Sequence, residues 1–251
     1  MKKFIEEAFI QMQQDLFYVI KNAKTLKGKQ KANGEKAKES LIRSSEFIDQ
    51  IHQAVKKSFL EKNNNLIFKP DIGKRTPELV VKGRIKSKKQ DIAINFKNSK
   101  NVLPLLVNVR SQMSSIEKNF DTILERAFAE VVNLRLEKNY IMGEVFLIPI
   151  NELDQAACKK NKVKFFKNSL NFEKFFNSYN SINDRQDLDD DKYNFFKCDK
   201  ICLLVVDFAC NPPKLISDFG SNKLNKSYQK LSYEGYCEFL LNKYQKSINF
   251  H

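Results

Sequence analysis

Asp91 opens a short alternating segment, Asp91-Ile92-Ala93-Ile94-Asn95-Phe96. On a strand, Asp91, Ala93 and Asn95 face one way and Ile92, Ile94 and Phe96 the other. Within about twenty residues a second such segment follows, PLLVNVR. Its pattern predicts Leu105, Val107 and Val109 on one face and Leu106, Asn108 and Arg110 on the other. Carboxylates projecting from adjacent strands share a hard divalent cation through oxygen ligands. Such a cation activates water and offsets charge on a phosphodiester. A cationic side chain two residues along the second strand faces the same way and stabilises the charged transition state. Asp91, Asn108 and Arg110 have the spacing for that chemistry, with two departures. Asn108 brings a neutral oxygen where an acid is wanted, and Arg110 clamps phosphate but cannot lose a proton to act as a base.

After Arg110 comes SQMSSIEKNFDTILERAFAEVVNL, a Ser- and Gln-containing turn and a long helical pattern. From about Leu66 to Ile150 this layout resembles the PD-(D/E)XK nuclease superfamily, and within it the type II restriction endonucleases. The family pattern is an Asp on one strand, an acid-x-Lys on the next, and a helix packed beneath. Asp91 matches the first position, and Asn108-Val109-Arg110 occupies the second. The resemblance implies a restriction-endonuclease-like α/β fold, a mixed central β-sheet flanked by helices. It also implies Mg²⁺ as cofactor and double-stranded DNA as substrate, cut at a short specific site. A homodimer is expected, since two-fold symmetry matches the two strands of a palindrome. A cognate DNA methyltransferase belongs to the same system without direct contact. Some superfamily members move the missing carboxylate onto the following helix. Glu125 is the candidate here, with Asp121 a turn earlier and Glu117 closer to the apolar stripe. The expected catalytic set is therefore Asp91, Asn108, Arg110 and Glu125, with Asp91, Asn108 and Glu125 on the metal. Glu78 is a further carboxylate ahead of Asp91. Pro70-Asp71 spells the motif's name but lacks its acid-x-Lys.

The run Lys82–Lys89, KGRIKSKK, leads into Asp91. Arg84, Lys86, Lys88 and Lys89, with Gln112 and Lys118 beyond the second strand, are the expected DNA contacts. The alternative for the run is a solvated hairpin. Overall charge agrees with a polyanionic partner: 44 Lys and Arg against 30 Asp and Glu give +14 over 251 residues. Residues 1–100 hold about 23 of the cations and about 11 of the acids, so nearly all the surplus lies there. A non-catalytic nucleic-acid-binding protein with a degenerate site is the rival reading, and Asn108 and Arg110 sustain it.

Other chemistries find little support. No phosphate-cradling G-x-x-x-x-G-K-[ST] or G-x-G-x-x-G loop occurs among seven glycines. Five cysteines without a C-x-x-C pair, and only His52 and His251, argue against zinc and against a disulfide framework. Cys198 and Cys202 border an apolar run and read as buried strand residues. The two histidines also make a His-centred nuclease an unpromising reading. No stretch is long and apolar enough to span a bilayer. The N-terminal segment carries Glu6, Glu7 and Asp15 where a signal peptide is apolar, so it reads as an amphipathic helix of a cytoplasmic protein with no membrane partner.

These residues need elements to hold them. Helical spacing predicts a helix over residues 4–22, a loop over the basic KTLKGKQKANGEKAK, and a helix from Glu39 to Leu60. Strands follow at LIFKPDI, ELVVKGRI, DIAINF and PLLVNVR, then a helix from Ile116 to Leu136. IMGEVFLIPI and ICLLVVDF read as buried strands. The polar stretch from about Asn168 to Lys197 reads as helix plus loop, and LSYEGYCEFLLNKYQ as a closing helix. One domain spanning residues 1–251 is expected: a helical part over 1–62, a nuclease core over 63–150 and a strand-and-helix part over 151–251.

Overall fold

Two segments decide the architecture. Met142–Pro149 and Lys200–Asp207 are nearly continuous runs of apolar residues, too short and too rich in Val, Leu and Ile to favour helices. Every residue of the first is buried, as are the six central residues of the second. A strand apolar on both faces must be covered on both faces. In the computed structural model, which describes residues 1–97, 102–167, 170–185 and 194–249, both lie inside a helix-flanked mixed sheet.

In chain order the elements are α1 (Lys2–Asn22), α2 (Gly34–Ile42), α3 (Ser45–Lys62), β1 (Leu66–Lys69), β2 (Leu79–Val81), β3 (Lys88–Gln90), β4 (Ile92–Phe96), β5 (Leu105–Ser111), α4 (Ile116–Arg135) and β6 (Met142–Pro149). Then come β7 (Asn151–Leu153), α5 (Gln155–Lys159), β8 (Phe165–Lys167), α6 (Phe172–Ser181), β9 (Lys200–Asp207), β10 (Lys214–Leu215), α7 (Asn222–Gln229) and α8 (Tyr236–Asn249). The main sheet runs β1-β4-β5-β6-β9-β10. Strands β1, β4 and β5 form an antiparallel meander, β5, β6 and β9 are parallel, and β10 returns antiparallel. Residues from the expected core and from the expected C-terminal part thus share one sheet.

The alternation expected for β4 and β5 is present. Ile92, Ile94, Leu105, Val107 and Val109 join the hydrophobic cluster that α1, α3 and α8 cover. Ala93 and Leu106 join the opposite cluster, covered by α4, α6 and α7. Asn108 and Arg110 follow Leu106 at two-residue spacing and so face the α4 side. Gly143 on β6 lets α8 come close, since a Cβ there would stand 2.4 Å from the Tyr236 hydroxyl.

The N-terminal helices differ from the sequence expectation. The helix expected over 39–60 is two helices, α2 and α3, divided at Arg43 and Ser44. Asn33 starts the earlier one, its side chain accepting the Lys36 amide at 3.0 Å. The last third of the expected basic loop, from Gly34, is therefore helical, and its Ala37 and Lys38 are buried. Alternation of charge concealed the cap, because a capping Asn resembles any other polar loop residue until its side-chain oxygen meets an amide. ELVVKGRI is a strand only as far as Val81; it turns and returns as β3, a separate two-stranded hairpin. Of the polar stretch 168–197, α6 occupies Phe172–Ser181, and residues 186–193 lie outside the described residues, as does His251. All five cysteines are free, and Cys198 and Cys202 are buried as expected. Among the described residues no helix is long and apolar enough to cross a membrane.

Candidate functional site

Asp91 stands just before β4, where its ladder with β5 ends at Ile92 opposite Val107. Past that pair the Val109 amide needs a partner, since an unpaired buried N–H is costly. The Asp91 carboxylate supplies it: Oδ2 accepts from Val109 N at 2.8 Å. In return the Asp91 amide approaches Asn108 Oδ1 at 3.4 Å. Asp91 and Asn108 are thus drawn together across the strand pair, as their spacing suggested.

Arg110 is the centre of the site. Its Nε donates to Glu144 Oε2 at 2.8 Å, and its Nη2 reaches Glu130 Oε2 at 3.2 Å and Glu144 Oε1 at 3.3 Å. Asn108 Nδ2 approaches the same two carboxylates, at 3.4 Å from Glu130 and 3.3 Å from Glu144. Register explains Glu144, which lies directly opposite Asn108 on the parallel neighbour β6. Gln90 Nε2 and Lys88 Nζ, on β3, approach Glu130 at 3.2 and 3.4 Å. Strands β3, β5 and β6 and helix α4 thus converge on one polar cluster, with Asp91 at its edge.

The charges there are strongly perturbed. Burial pushes the Asp91 carboxyl up to about 6; the Val109 amide and Arg110 pull it back, while Glu78 and Glu130 add to the rise. Burial also raises Glu144, with the Arg110 guanidinium opposing the rise. For Arg110, burial disfavours the charge, but Glu144 and Glu130 outweigh it and hold the guanidinium charged. Arg110 remains 21% exposed, and its Nη1 has no protein partner among the described residues. A guanidinium fixed through Nε and Nη2 with Nη1 left over is pre-organised for an anion.

On the far side of Asp91 stands His52, from α3. Its Nε2 is buried without a hydrogen-bond partner and lies 3.8 Å from Asp91 Oδ2. Burial pushes its pKa down to about 4, so the ring is neutral near pH 7. Gln90 Oε1 is a second buried polar atom without a partner. Buried polar atoms are rarely left so, and two of them lie on residues flanking Asp91.

Helix α4 does bring a carboxylate to the sheet, but it is Glu130. Glu125 is exposed and takes no part in the cluster. The reason is angular. Glu130 lies three residues after Ala127 and beside Val131, within the buried stripe, whereas five residues of helix turn Glu125 about 140° away. Asp121 is exposed and pairs with Lys174, and the Glu117 carboxylate accepts the Asn171 amide. Asp71 is exposed and pairs with Lys74, and Glu78 lies near Lys89.

The expected DNA contacts divide. Arg84, Lys86 and Lys89 are exposed on the β2–β3 hairpin, and Lys118 is exposed on α4. The hairpin is fastened to α4. Asn133 accepts the Ile85 and Lys86 amides through Oδ1 and donates to the Lys86 carbonyl, and its own carbonyl accepts the Arg84 amide. Gly83 is required under that clasp, since a Cβ would stand 2.2 Å from Asn133 Nδ2. Lys88 is half-buried and turned to Glu130. Gln112 is not available for DNA: it is buried, with Nε2 donating to the Ile116 carbonyl at 2.6 Å. It ties the turn to the first residue of α4.

Sequence reasoning missed Glu130, Glu144 and His52. Glu144 had a signal, being the one charged residue inside IMGEVFLIPI, and a charge in a doubly covered strand needs a partner. His52 had none, since a histidine in an amphipathic helix reads as packing.

The donors suit a hard cation in type: the carboxylates of Asp91 and Glu130, the carbonyl of Asn108 and the partnerless Gln90 oxygen. Among the described residues, however, no three His, Cys, Asp or Glu side chains are already gathered to enclose a metal ion. No family model matches the chain, and neither does any curated protein or solved structure.

Proposed function

We propose that this chain is a Mg²⁺-dependent endonuclease for double-stranded DNA, of the type II restriction class, acting as a homodimer at a short specific site. One observation carries the reading. Asp91, Asn108 and Arg110, at the spacing that resembles the PD-(D/E)XK pattern, are joined by a helix carboxylate, Glu130, in a single hydrogen-bonded cluster. The cluster adjoins a fixed, exposed basic hairpin.

Each side chain has a role in that reading. Asp91 and Glu130 would hold the metal, with Asn108 offering its amide oxygen. A bound Mg²⁺ supplies Lewis-acid charge to the phosphate and lowers the pKa of a ligating water. Arg110, held by Glu144, directs Nη1 at the phosphate that gains charge in the transition state. Glu144 positions Arg110 and is wholly buried, so it does not itself meet DNA. Arg84, Lys86 and Lys89 contact the flanking backbone, which positions the duplex without reading it.

A second reading rests on a specific observation. Asp91 already serves the fold by accepting the Val109 amide, and Asn108 stands where an acid is wanted. Both facts suit a basic DNA-binding protein that does not cut. Incubation with long DNA, with and without Mg²⁺, separates the two. Discrete fragments that need Mg²⁺ and vanish in Asp91→Asn are expected, while Asp91→Asn still shifts DNA in a gel. A shift without fragments in the unaltered protein would establish the binder instead.

A further inference from the structure

One cleft lies apart from Asp91. It is an open cleft of about 950 Å³ between the α1–α2 connection, the start of α3 and the loop that follows β1. Five cations line it, Lys27, Lys29, Lys31, Lys74 and Arg75, with one acid, Glu46. Glu46 is matched by Lys27 at 2.8 Å and Arg75 at 3.5 Å, so the surplus charge is uncompensated within the cleft. Lys29 and Lys31 make no ion pair among the described residues, and the Lys74 partner, Asp71, is outside the lining. The first turn of α3 opens here, and its cap Ser44 gives no side-chain bond to it, donating instead to the Leu41 carbonyl at 2.7 Å. Free amides at a helix start add positive potential.

The walls are built. In the α1–α2 connection, Thr25 exchanges bonds with Lys29: its amide donates to the Lys29 carbonyl at 2.9 Å, and its hydroxyl accepts the Lys29 amide at 3.1 Å. The opposite wall is tied to α3. Lys56 Nζ donates to the carbonyls of Asp71 and Lys74, and Gln53 accepts the Gly73 amide at 2.7 Å. Helix α3 therefore joins the cleft to the cluster, with Ser45 in the cleft and His52 against Asp91. That stretch of helix spans about 10 Å at 1.5 Å per residue. One DNA strand carries a phosphate about every 3.4 Å of duplex axis, so measured along that axis the distance is roughly three phosphates.

We propose that this cleft binds the phosphate backbone of the same duplex whose scissile phosphate lies at Asp91, on the side of the site away from the basic hairpin. The inference rests on the nuclease reading. It assigns DNA binding to the α1–α2 connection and the loop after β1, which that reading does not use.

The test is binding of a fluorescent duplex of about 30 base pairs to the full chain in EDTA, by anisotropy, across a range of salt concentrations. The variant is Lys29→Glu/Lys74→Glu, both residues exposed, with unchanged thermal unfolding as the control for folding. The expected result is at least about 10-fold weaker binding at low salt. The slope of log K against log salt should become shallower by about 2, roughly one unit for each phosphate that a lysine no longer neutralises. Arg84→Glu/Lys86→Glu is measured alongside. If the hairpin variant loses binding while the cleft variant keeps the unaltered affinity and slope, the cleft inference is overturned and the nuclease reading stands. If the unaltered protein binds no duplex at all, both are overturned. If inorganic pyrophosphate binds the cleft but does not compete with duplex, the cleft is a small-anion site and the inference is likewise overturned.

Discussion

His52 Nε2 faces Asp91 Oδ2 across 3.8 Å, and burial drives the two groups' ionisation in opposite directions. Asp91 keeps its proton up to about pH 6, and His52 refuses one down to about pH 4. Their effects on stability oppose each other over the same range of acidity. Between about pH 4 and 6 an unfolded chain has released the Asp91 proton that the folded chain retains, so stability falls as pH rises. Between about pH 6.5 and 4 the unfolded chain takes up a His52 proton that the folded chain does not, so stability falls as pH drops.

Urea unfolding in EDTA as a function of pH should reveal each half separately. Asp91→Asn leaves the His52 contribution and should lose stability on acidification from about 6.5 to about 4. His52→Gln leaves the Asp91 contribution and should lose stability as pH rises from about 4 to 6. Each change should be up to about 3 kcal/mol. Parallel pH profiles in the two variants would disprove the assigned burial.

Arg110 and Glu144 are a buried pair, and breaking it from one side should be severe. Arg110→Ala leaves buried Glu144 without its cation and Glu130 with Lys88 alone, and should cost about 3–5 kcal/mol in denaturant unfolding. The double replacement Arg110→Met/Glu144→Leu removes both charges and should recover most of that loss. Cleavage should not return with it. Recovery of both would mean that Arg110 serves the fold alone.

Cleavage rates should distinguish the two helix carboxylates. Glu130→Gln should lower the single-turnover rate at least about 100-fold, roughly 2.7 kcal/mol of transition-state stabilisation. Glu125→Gln, on an exposed face, should stay within about two-fold of the unaltered protein. The opposite ranking would return the missing carboxylate to Glu125.

Asn133 should control the hairpin. Asn133→Ala strands the Ile85 and Lys86 amides and should cost about 1–3 kcal/mol. Hydrogen exchange at Ile85 and Lys86 should rise, and duplex binding should weaken although no cation is removed. Unchanged exchange there would show that the clasp is not what fixes the hairpin.

Much of this site was legible in the sequence, because strand periodicity is local. Two-residue alternation put Asn108 and Arg110 on one face, and the apolar runs at Met142–Pro149 and Ile201–Val206 required a sheet covered on both sides. Cation surplus in the first hundred residues was legible too, as was the isolation of the cysteines. What escaped depended on distance in space. Glu144 meets Arg110 only because β6 pairs in parallel with β5 in one register, and no local rule fixes which strand lies beside which. Glu130, and not Glu125, faces the sheet because the rotation of α4 about its axis is set by what Ala127 and Val131 bury against the sheet. His52 reaches Asp91 through the packing of α3 on the opposite face, and the same packing aligns the basic loops into a cleft. The sequence determined which residues had the chemistry and which way their strands faced. The tertiary structure decided which of them meet, because register, helix rotation and layer packing are settled by the whole core at once.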